Sequence, residues 1–334
     1  MQDAQARDAA LPETRCPVCA APAPGRLRAR EMMFGTRQPF TYGECPACGL
    51  LWLLDVPADL SVHYPADYYA FAPVEPRVPT GLRAWMRRAK LAHVLGHATP
   101  VGAALERLRP SPALSEALGW IRTAGARLDS RILDVGCGQG RIVNELGDAG
   151  FTDVTGVDPF IAGDIDYPNG VRVRKRALGD VTGLFDLVMC HHAFEHMDAP
   201  LDRLREMARV LAPGGTVLIR IPLGDSLACE TYGTDWVQLD APRHLYLHTR
   251  RSMAHLEREA GLREAAVVYD SSGFGFWGSE LYRRDLPLQA PDGQMGCPER
   301  LGASVAEMEA FEQSATQAND AHRGDQAAFY LRHA

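Results

Sequence analysis

The stretch Ile132-Leu133-Asp134-Val135-Gly136-Cys137-Gly138-Gln139-Gly140 decides the fold of this chain. An apolar strand ends at Val135, three alternating glycines turn the chain, and an amphipathic stretch follows. Glycine lets the backbone approach a ligand closely where any side chain would clash. Asp158 ends the next apolar strand, where its carboxylate can accept hydrogen bonds from a ribose diol. Together these features predict a nucleotide-binding α/β domain.

The spacing of the glycines indicates which nucleotide the turn suits. Dinucleotide-binding turns follow the pattern G-x-G-x-x-G and hold a pyrophosphate at the helix N-terminus. Here the pattern is G-x-G-x-G, and Arg141 stands where that fingerprint has its third glycine. We therefore expect a cofactor without phosphates. A Rossmann-like domain that binds another ligand is the alternative.

From Arg131 onward, short apolar runs alternate with amphipathic stretches, which is typical of a parallel α/β sheet. Pro200 suits the first turn of a helix over residues 201–211. Gly214-Gly215 are then expected to turn that helix into the next strand. The pattern predicts seven strands, at residues 132–135, 154–158, 171–173, 185–190, 216–221, 262–269 and 327–331.

Several motifs follow one another in a fixed order after the glycine turn. They are Asp134-x-Gly136-x-Gly138-x-Gly140, Val157-Asp158, Phe185-Asp186-Leu187-Val188 and Arg209-Val210-Leu211-x-Pro213-Gly214-Gly215. In this order they closely resemble class I S-adenosylmethionine (SAM)-dependent methyltransferases, over about residues 131–285. The resemblance implies a Rossmann-like α/β fold, in which a seven-stranded, mostly parallel sheet carries helices on both faces. It also implies SAM as the cofactor and methyl transfer as the reaction.

The same resemblance implies a set of cofactor contacts along the ends of the first, second and fourth strands. The glycine loop should contact the methionine end of SAM. The acid after the second strand and its neighbours should hold the ribose and adenine, and the end of the fourth strand should lie under the sulfonium. The residues are, in that order, Asp134, Gly136, Cys137, Gly138 and Gly140; Asp158, Pro159 and Leu178; and Cys190 and His191.

The stretch His192-Ala193-Phe194-Glu195-His196 matches the H-x-x-E-H pattern of inverted zinc peptidases. Those enzymes need the motif within a helix, whereas here it directly follows a predicted buried strand. Some quinone O-methyltransferases bind a divalent metal through an acidic version of this turn, and this chain has His192 in place of an acid. A catalytic, metal-assisting, substrate-lining or structural role for His192 therefore stays open.

Four cysteines form two C-x-x-C knuckles, Cys16/Cys19 and Cys45/Cys48. Two such turns can present four thiolates tetrahedrally to Zn²⁺, and a site closed by four cysteines is structural rather than catalytic. The spacing predicts a small zinc ribbon whose metal supplies much of its folding energy. Four unrelated buried thiols are the alternative.

The residues after the cysteines resemble the N-terminal zinc domain of bacterial sugar C-methyltransferases. The resemblance rests on Leu50-Leu51-Trp52-Leu53 and on three tyrosines, and in that family the domain lends aromatic residues to the substrate site. It implies substrate contacts, with domain packing as the alternative, for Tyr64, Tyr68 and Tyr69.

The segment from Trp236 to Thr249 is dense in polar and aromatic groups and is expected to close over the acceptor, with Trp236 as a further substrate contact. It resembles the Glu-His-x-x-x-Phe-Ser segment of the sugar C-methyltransferases, where the histidine is the proposed base. His244 matches that histidine, but Arg243 replaces the glutamate. The chain also ends too early for the C-terminal domain of those enzymes. A catalytic base and a structural histidine both remain open for His244.

Composition sets further limits. Of 334 residues, 46% are hydrophobic, so a full globular core is expected. The formal net charge of -7 argues against a polyanion-binding surface over the whole chain. No apolar run is long enough to span a membrane and no secretion signal is visible, so we expect a cytoplasmic protein. We predict a zinc-ribbon module at 1–72, a helical linker or cap at 73–128, and the methyltransferase domain at 129–334.

Three functions fit these observations. The favoured one is methyl transfer from SAM to a small-molecule or glycan acceptor. The second is an RNA methyltransferase, because zinc ribbons often bind nucleic acid and basic residues lie near Trp85. Those basic residues are Arg26, Arg28, Arg30, Arg83, Arg87, Arg88 and Lys90. The third is a non-enzymatic, zinc-organised binding protein, against which the intact glycine loop and Asp158 argue.

Overall fold

The computed structural model describes residues 15–64, 74–75, 80–97, 99–108 and 115–334. Contacts divide the chain into two compact units. Unit 1 comprises Met1–Ala58, Leu223–His255 and Ser271–Asp325, and unit 2 comprises Asp59–Pro222, Leu256–Asp270 and Gln326–Ala334. The domain boundaries given above from the sequence stay a prediction.

The strands and helices of the described residues are numbered here in chain order. The strands are β1 (Gly25–Arg30), β2 (Pro39–Glu44), β3 (Leu51–Leu53), β4 (Arg131–Val135), β5 (Asp153–Val157), β6 (Ile165–Asp166), β7 (Arg172–Arg174), β8 (Phe185–His191), β9 (Leu211–Pro222), β10 (Tyr246–Leu247), β11 (Leu262–Tyr269) and β12 (Gln326–His333). The helices are α1 (Gly81–Val94), α2 (Pro100–Leu108), α3 (Glu116–Ala124), α4 (Arg141–Ala149), α5 (Pro200–Arg209), α6 (Leu227–Tyr232), α7 (Arg250–Glu259), α8 (Phe274–Arg283) and α9 (Val305–Asp320).

Unit 2 is built on an eight-stranded sheet in the order β11-β12-β9-β8-β4-β5-β7-β6, as far as the described residues go. The central pairs β9/β8, β8/β4, β4/β5 and β5/β7 are parallel. β12 is antiparallel to both of its neighbours. The direction of strand progression reverses at β4, and ligands bind at such switch points in open α/β sheets. This Rossmann-like arrangement confirms the predicted fold class.

All seven predicted strands are present, and the sequence missed β6, a two-residue strand antiparallel to β7. The predicted position of Gly214-Gly215 between helix and strand was wrong. Both glycines lie inside β9, next to a register shift in its pairing with β8, and Gly214 has φ +78°. The glycines therefore accommodate an irregularity within the strand rather than begin it.

The core of unit 2 follows from continuous apolar runs in the central strands. Ile132 and Leu133 of β4 and Leu187 and Val188 of β8 are fully buried. Strands covered on both faces show this pattern, because helices pack against each side of a parallel sheet. The glycine turn at the end of β4 is thus presented from a rigid strand.

The helices α1 and α2 pack against each other ahead of this sheet in the chain. α2 begins at Pro100, and proline suits a first helical turn. The two helices approach closely, because a Cβ on Gly102 would overlap the carbonyl oxygen of Ala89. No helix in the described residues is both long enough and apolar enough to cross a bilayer.

Unit 1 contains a four-stranded antiparallel sheet in the order β1-β2-β3-β10. β10 joins this sheet from far along the chain, with Tyr246 opposite Trp52 and Leu247 opposite Leu51. The hydroxyl of Thr249, just after β10, donates to the carbonyl oxygen of Cys48. The segment that contains His244 is therefore fastened to the cysteine module within unit 1.

Candidate functional site

The glycine loop of unit 2 has the backbone that its sequence requires. Gly136, Gly138 and Gly140 all have positive φ, from +53° to +82°. A Cβ on Gly136 would overlap the Cβ of Ala193, so the loop lies against the turn that follows β8. Two of the predicted cofactor-binding segments are thus adjacent at the carboxyl ends of β4 and β8.

Asp158 is buried and holds this loop through both of its carboxylate oxygens. Oδ2 accepts the backbone N–H of Gly138 at 3.0 Å, and Oδ1 accepts that of Phe160 at 2.8 Å. Each oxygen keeps a second lone pair, which suits the predicted hydrogen bonds to a ribose diol. The ring of Phe160 is 82% exposed. The sequence analysis missed this aromatic, and its position two residues after the acid was the available signal.

Asp134 is buried at the end of β4. Burial, followed by the negative charge of Asp158, raises the pKa of Asp134 to about 8, against a smaller opposing effect of Arg141. The Asp134 carboxyl is therefore largely protonated at neutral pH when no cation is bound. A positively charged ligand at this position would favour the ionised form.

The remaining predicted cofactor residues occupy varied positions in unit 2. Pro159 is exposed beside Asp158, whereas Leu178 is buried at the start of a 3-10 turn. Cys137 packs over Gly156, and burial raises its pKa. Cys190 is fully buried in β8, and burial likewise raises its pKa. Both cysteines are consequently neutral packing groups.

His191 ends β8 with its ring against Trp120 of α3, at 4.4 Å between ring centroids. Both ring nitrogens are buried, and neither has a hydrogen-bond partner in the described part of the chain. Burial, then the charge of Arg220, lowers the pKa of His191. A buried polar group without a partner is costly, so a ligand that reaches this ring would relieve that cost.

His192 faces a different environment from His191. It has φ +47°, which turns its ring toward β9. Arg220 Nη1 lies 2.7 Å from His192 Nε2, and Arg220 Nε lies 2.7 Å from Asp270 Oδ2. An arginine only donates, so Nε2 accepts and the proton of the neutral ring sits on Nδ1, 3.4 Å from Glu195 Oε1.

Of the roles left open for His192, this arrangement favours the structural one over a catalytic base, because the accepting nitrogen is already used by Arg220. The turn is also not helical, since only a 3-10 turn covers Phe194–His196. The H-x-x-E-H motif therefore lacks the helix that a peptidase needs. The sequence analysis missed Arg220 and Asp270, which come from distant strands and carry no local signal.

Tyr64 is the one predicted tyrosine that the structure describes. Its hydroxyl lies 3.2 Å from His196 Nδ1 in unit 2, beside the turn that follows β8. This position supports its candidacy as a substrate contact. Tyr68 and Tyr69 lie outside the described residues.

The four predicted zinc ligands come together in unit 1. The Sγ atoms of Cys16 and Cys48 are 3.6 Å apart, and those of Cys19 and Cys45 are 3.5 Å apart. All four sulfurs lie within 4.8 Å of one another. Zn–S bonds of ~2.3 Å in a tetrahedron place sulfurs roughly 3.8 Å apart. The cluster therefore fits Zn²⁺.

The two knuckles share one backbone feature. The residue after each second cysteine has a positive φ, +59° at Ala20 and +77° at Gly49.

Burial raises the pKa of Cys16 to about 11. Burial acts in the same direction at Cys45, but neighbouring N–H groups, led by that of Cys48, outweigh it and lower its pKa to about 7. A metal ion would supply the positive charge that four neighbouring thiolates require.

His244 is buried in unit 1 and its orientation is fixed. Nδ1 lies 2.7 Å from the carbonyl oxygen of Gln238, so Nδ1 carries a proton and donates it to that oxygen. Asp240 Oδ2 lies 3.8 Å from Nε2. A nearby carboxylate stabilises the imidazolium that forms when Nε2 takes a proton. The role of His244 as a catalytic base stays a prediction.

Asp240 is itself held by a buried arginine. Arg243 Nε donates to both Asp240 oxygens at 3.0 Å, and Arg243 Nη2 donates to Glu31 Oε1 at 3.0 Å. Arg243 and Glu31 are fully buried. The sequence comparison noted Arg243 in place of a glutamate before His244. Here the carboxylate near His244 comes from Asp240, which the sequence analysis missed.

Trp236 is fully buried, and its indole N–H donates to Asp325 Oδ2 at 3.1 Å. The structure therefore places Trp236 in the core of unit 1, with its polar atom already paired. This corrects its assignment as a substrate contact. Trp236, one of the aromatic residues of this segment, therefore contributes to core packing.

Comparisons with known proteins agree with the fold and the loop. A family model described as a methyltransferase domain matches residues 101–266. The chain is 33% identical over 170 residues to the ubiquinone biosynthesis O-methyltransferase of Bordetella avium, covering 45% of this chain and 69% of that protein. It is 37% identical over 170 residues to the Bordetella bronchiseptica protein of the same name, with the same coverage. The cysteine module lies outside the residues that the family model matches.

A similar solved structure is a SAM-dependent methyltransferase from Thermotoga maritima, described as a possible histamine N-methyltransferase. Its TM-score is 0.39 at 18% identity, and the match covers 62% of this chain and 83% of that one.

Proposed function

Because the chain belongs to the class I SAM-dependent methyltransferases, we propose that it methylates a hydroxyl group of a small-molecule acceptor. The observation that carries this proposal is the buried imidazole of His244, whose Nδ1 lies 2.7 Å from the carbonyl oxygen of Gln238 and whose Nε2 lies 3.8 Å from Asp240 Oδ2. A base is needed when the acceptor must lose a proton, as a hydroxyl does. Histidine has a suitable pKa for that task.

SAM is proposed to bind along the carboxyl ends of β4, β5 and β8. When bound, it would supply an activated methyl group that an acceptor oxygen attacks in line, with S-adenosylhomocysteine as the leaving group. Gly136 leaves room for the close approach, Asp158 accepts from the ribose hydroxyls, and Asp134 meets the positively charged end. Most of the rate enhancement then comes from positioning and desolvation. His244 accepts the hydroxyl proton, and Tyr64 contacts the acceptor.

Zn²⁺ is proposed to occupy the four-cysteine cluster in a structural role. The cluster uses all of its ligand positions for cysteine, which leaves none for a substrate. The hydroxyl of Thr249 donates to Cys48, and His244 lies five residues before Thr249. Metal binding is therefore expected to stabilise the backbone that carries the proposed base.

Two acceptor classes fit the proposal. The relatives are named for O-methylation in ubiquinone biosynthesis, which favours a phenolic hydroxyl. The cysteine module resembles the zinc domain of sugar C-methyltransferases, which makes a sugar, a nucleotide sugar or a polysaccharide precursor the second candidate. Both acceptor classes require a base, and the hydroxyl groups of the two classes differ in acidity.

The test is methyl transfer from radiolabelled SAM by the purified zinc-loaded protein. The acceptors are a set of catechols and polyprenylated phenols, a set of nucleotide sugars, and total RNA. We expect label in a phenol, and a product heavier by one methylene group in which the methyl is on oxygen. Label in a sugar would select the second candidate. Label in RNA alone would overturn the small-molecule proposal.

A matched pair of variants separates the proposed base from general damage. His244→Ala should abolish most transfer, whereas His255→Ala changes a histidine of α7 that has no part in the proposal. Equal rates in both variants, with SAM binding retained, would remove the base and with it the argument for a hydroxyl acceptor.

A further inference from the structure

The helices α1 and α2 carry an unusual concentration of exposed apolar side chains. The described residues contain eleven large apolar side chains that are exposed, and four of them lie within residues 81–108. Their exposed fractions are 70% for Leu82, 55% for Trp85, 44% for Val101 and 82% for Leu108. Single exposed apolar residues are ordinary, but a cluster of this size indicates an interaction surface.

The same segment is basic although the whole chain is acidic. Residues 81–108 contain four arginines and a lysine but only one acidic residue, against a net charge of -7 for the chain. Lys90 is paired with Glu106 at 3.4 Å. Arg83, Arg87 and Arg88 are exposed. The charge that remains for a partner is therefore positive, and the partner is expected to be anionic.

The helix period places these groups together at the N-terminal half of α1. Leu82 and Trp85 are three residues apart, and Arg83 and Arg87 are four apart, so each pair shares a side of the helix. Leu91 and Leu95, toward and just past the C-terminal end, are buried in the core of unit 2. The helix is thus anchored at one end and displays apolar and basic side chains at the other.

We propose that α1 and α2 form a peripheral docking surface for an anionic phospholipid bilayer. Leu82 and Trp85 enter the boundary between headgroups and acyl chains, while Arg83, Arg87 and Arg88 contact lipid phosphates. Helices of this composition lie in the plane of a membrane surface. α1 has 14 residues and α2 has nine, so each is too short to span a bilayer.

Two other partners explain the surface less well. RNA would account for the arginines and could stack on Trp85, but aliphatic side chains exposed as fully as Leu82 and Leu108 gain nothing from nucleic acid. A second copy of this chain would cover the apolar groups. A two-fold contact, however, would bring Arg83 and Arg87 of one copy close to the same residues of the other, and like charges repel.

Co-sedimentation of the full-length, zinc-loaded protein with vesicles tests the proposal. One vesicle preparation is pure phosphatidylcholine, and the other contains about 30% phosphatidylglycerol, which carries the negative charge. We expect binding to the anionic vesicles that weakens as salt is raised. No binding to anionic vesicles at low salt would overturn the proposal.

Matched variants locate the surface. Each arginine near an anionic bilayer contributes about fivefold in binding, so R83Q/R87Q should bind roughly 25-fold more weakly. The control R263Q/R332Q removes two exposed arginines of β11 and β12 and should bind as the unchanged protein does. Leu82→Ser should also weaken binding, whereas Val305→Ser, which changes a residue 76% exposed on α9, should not. Equal effects of the test and control pairs would refute the assignment to α1.

Trp85 provides a direct measurement of insertion. Brominated lipids quench only tryptophans that reach the acyl region, so quenching should be present in the unchanged protein and absent in Trp85→Phe. Quenching that persists in Trp85→Phe would contradict the proposed orientation. Binding of RNA, or dimer formation lost in R83Q/R87Q, without vesicle binding would assign the surface to the competing partner. SAM binding by each variant checks that it is folded.

Discussion

Arg220 donates a hydrogen bond from Nη1 to Nε2 of His192 over 2.7 Å. Asp270 fixes the same guanidinium, and the Arg220 side chain is only 10% exposed. The contact makes His192 a structural partner of β9. The sequence motif around His192 suggests catalysis or metal binding, but in both roles Nε2 would have to release a buried cation.

We predict that His192→Gln keeps most of the turnover. The glutamine carbonyl can accept the Arg220 hydrogen bond, so the rate should stay within about fivefold and its dependence on pH should not change. His192→Ala leaves Arg220 without this acceptor and should lower the free energy of unfolding by about 1–3 kcal/mol. Chemical denaturation and steady-state kinetics check the two variants. A rate loss in His192→Gln above ~100-fold would restore His192 as a catalytic candidate.

Asp134 gives a prediction about stability and pH. Its pKa in the folded protein is about 8, above the ordinary value of 3.8 that an unfolded chain would show. The folded state therefore binds the proton more tightly, and the contribution of Asp134 to stability falls as pH rises from near 4 to near 8. Asp134→Asn has no such titration. Its stability relative to the unchanged protein should increase between pH 5 and pH 8, on the order of 3 kcal/mol.

The measurement is denaturant unfolding of both proteins without SAM at several pH values. The control is Asp148→Asn in α4, which removes a carboxyl group that is partly exposed rather than buried. A difference between Asp134→Asn and the unchanged protein that is constant with pH would show that the Asp134 carboxyl is ionised throughout.

Asp158→Ala should weaken SAM binding. The variant loses the proposed hydrogen bonds to the ribose, and it also frees the N–H groups of Gly138 and Phe160 that shape the loop. Losing such bonds costs about 1–3 kcal/mol, or roughly 5- to 150-fold in affinity. Titration calorimetry measures the affinity, and Asp153→Ala, at the start of the same strand, is the control. Unchanged affinity in Asp158→Ala would exclude the ribose role.

The cysteine cluster predicts about one Zn²⁺ per chain. Cys19→Ser should lose the metal and lower the melting temperature, because the metal contributes to the folding of the module. Cys297→Ser removes a thiol far from the cluster in sequence and should change neither quantity. Elemental analysis and thermal unfolding are the two measurements. A full equivalent of zinc retained in Cys19→Ser would place the metal elsewhere.

The sequence was sufficient for the features that depend on local patterns. The apolar runs located the strands of unit 2, and the spacing of the glycines located the turn at Gly136. The C-x-x-C spacing predicted a cluster of four cysteines, because a knuckle is a local structure. The cluster consists of Cys16, Cys19, Cys45 and Cys48. A carboxylate at the end of a strand was likewise enough to single out Asp158, which the structure places against the glycine loop.

The contacts that the sequence missed are long-range. β10 pairs with β3, almost two hundred residues away, and a two-residue strand has no periodicity to detect. Glu31 meets Arg243 only after that pairing has formed the sheet. Trp236 was predicted as a substrate contact because its segment is dense in polar and aromatic groups, yet its partner Asp325 lies far along the chain.

The last prediction concerns how Asp240 supports His244. His244→Ala, folded and saturated with SAM and acceptor, should lose ~10²–10⁴-fold in single-turnover methyl transfer, with SAM affinity almost unchanged. Asp240→Asn removes the negative charge near Nε2 and should shift the rise of the rate with pH to lower pH, because the imidazolium loses its nearby anion. Glu31→Gln is the matched control, since Glu31 contacts the same Arg243 and has the same buried setting. If Asp240 serves only to neutralise Arg243, both variants should lose stability alike and share one pH profile. A shift confined to Asp240→Asn is the result we expect, since Asp240 lies 3.8 Å from Nε2 of His244.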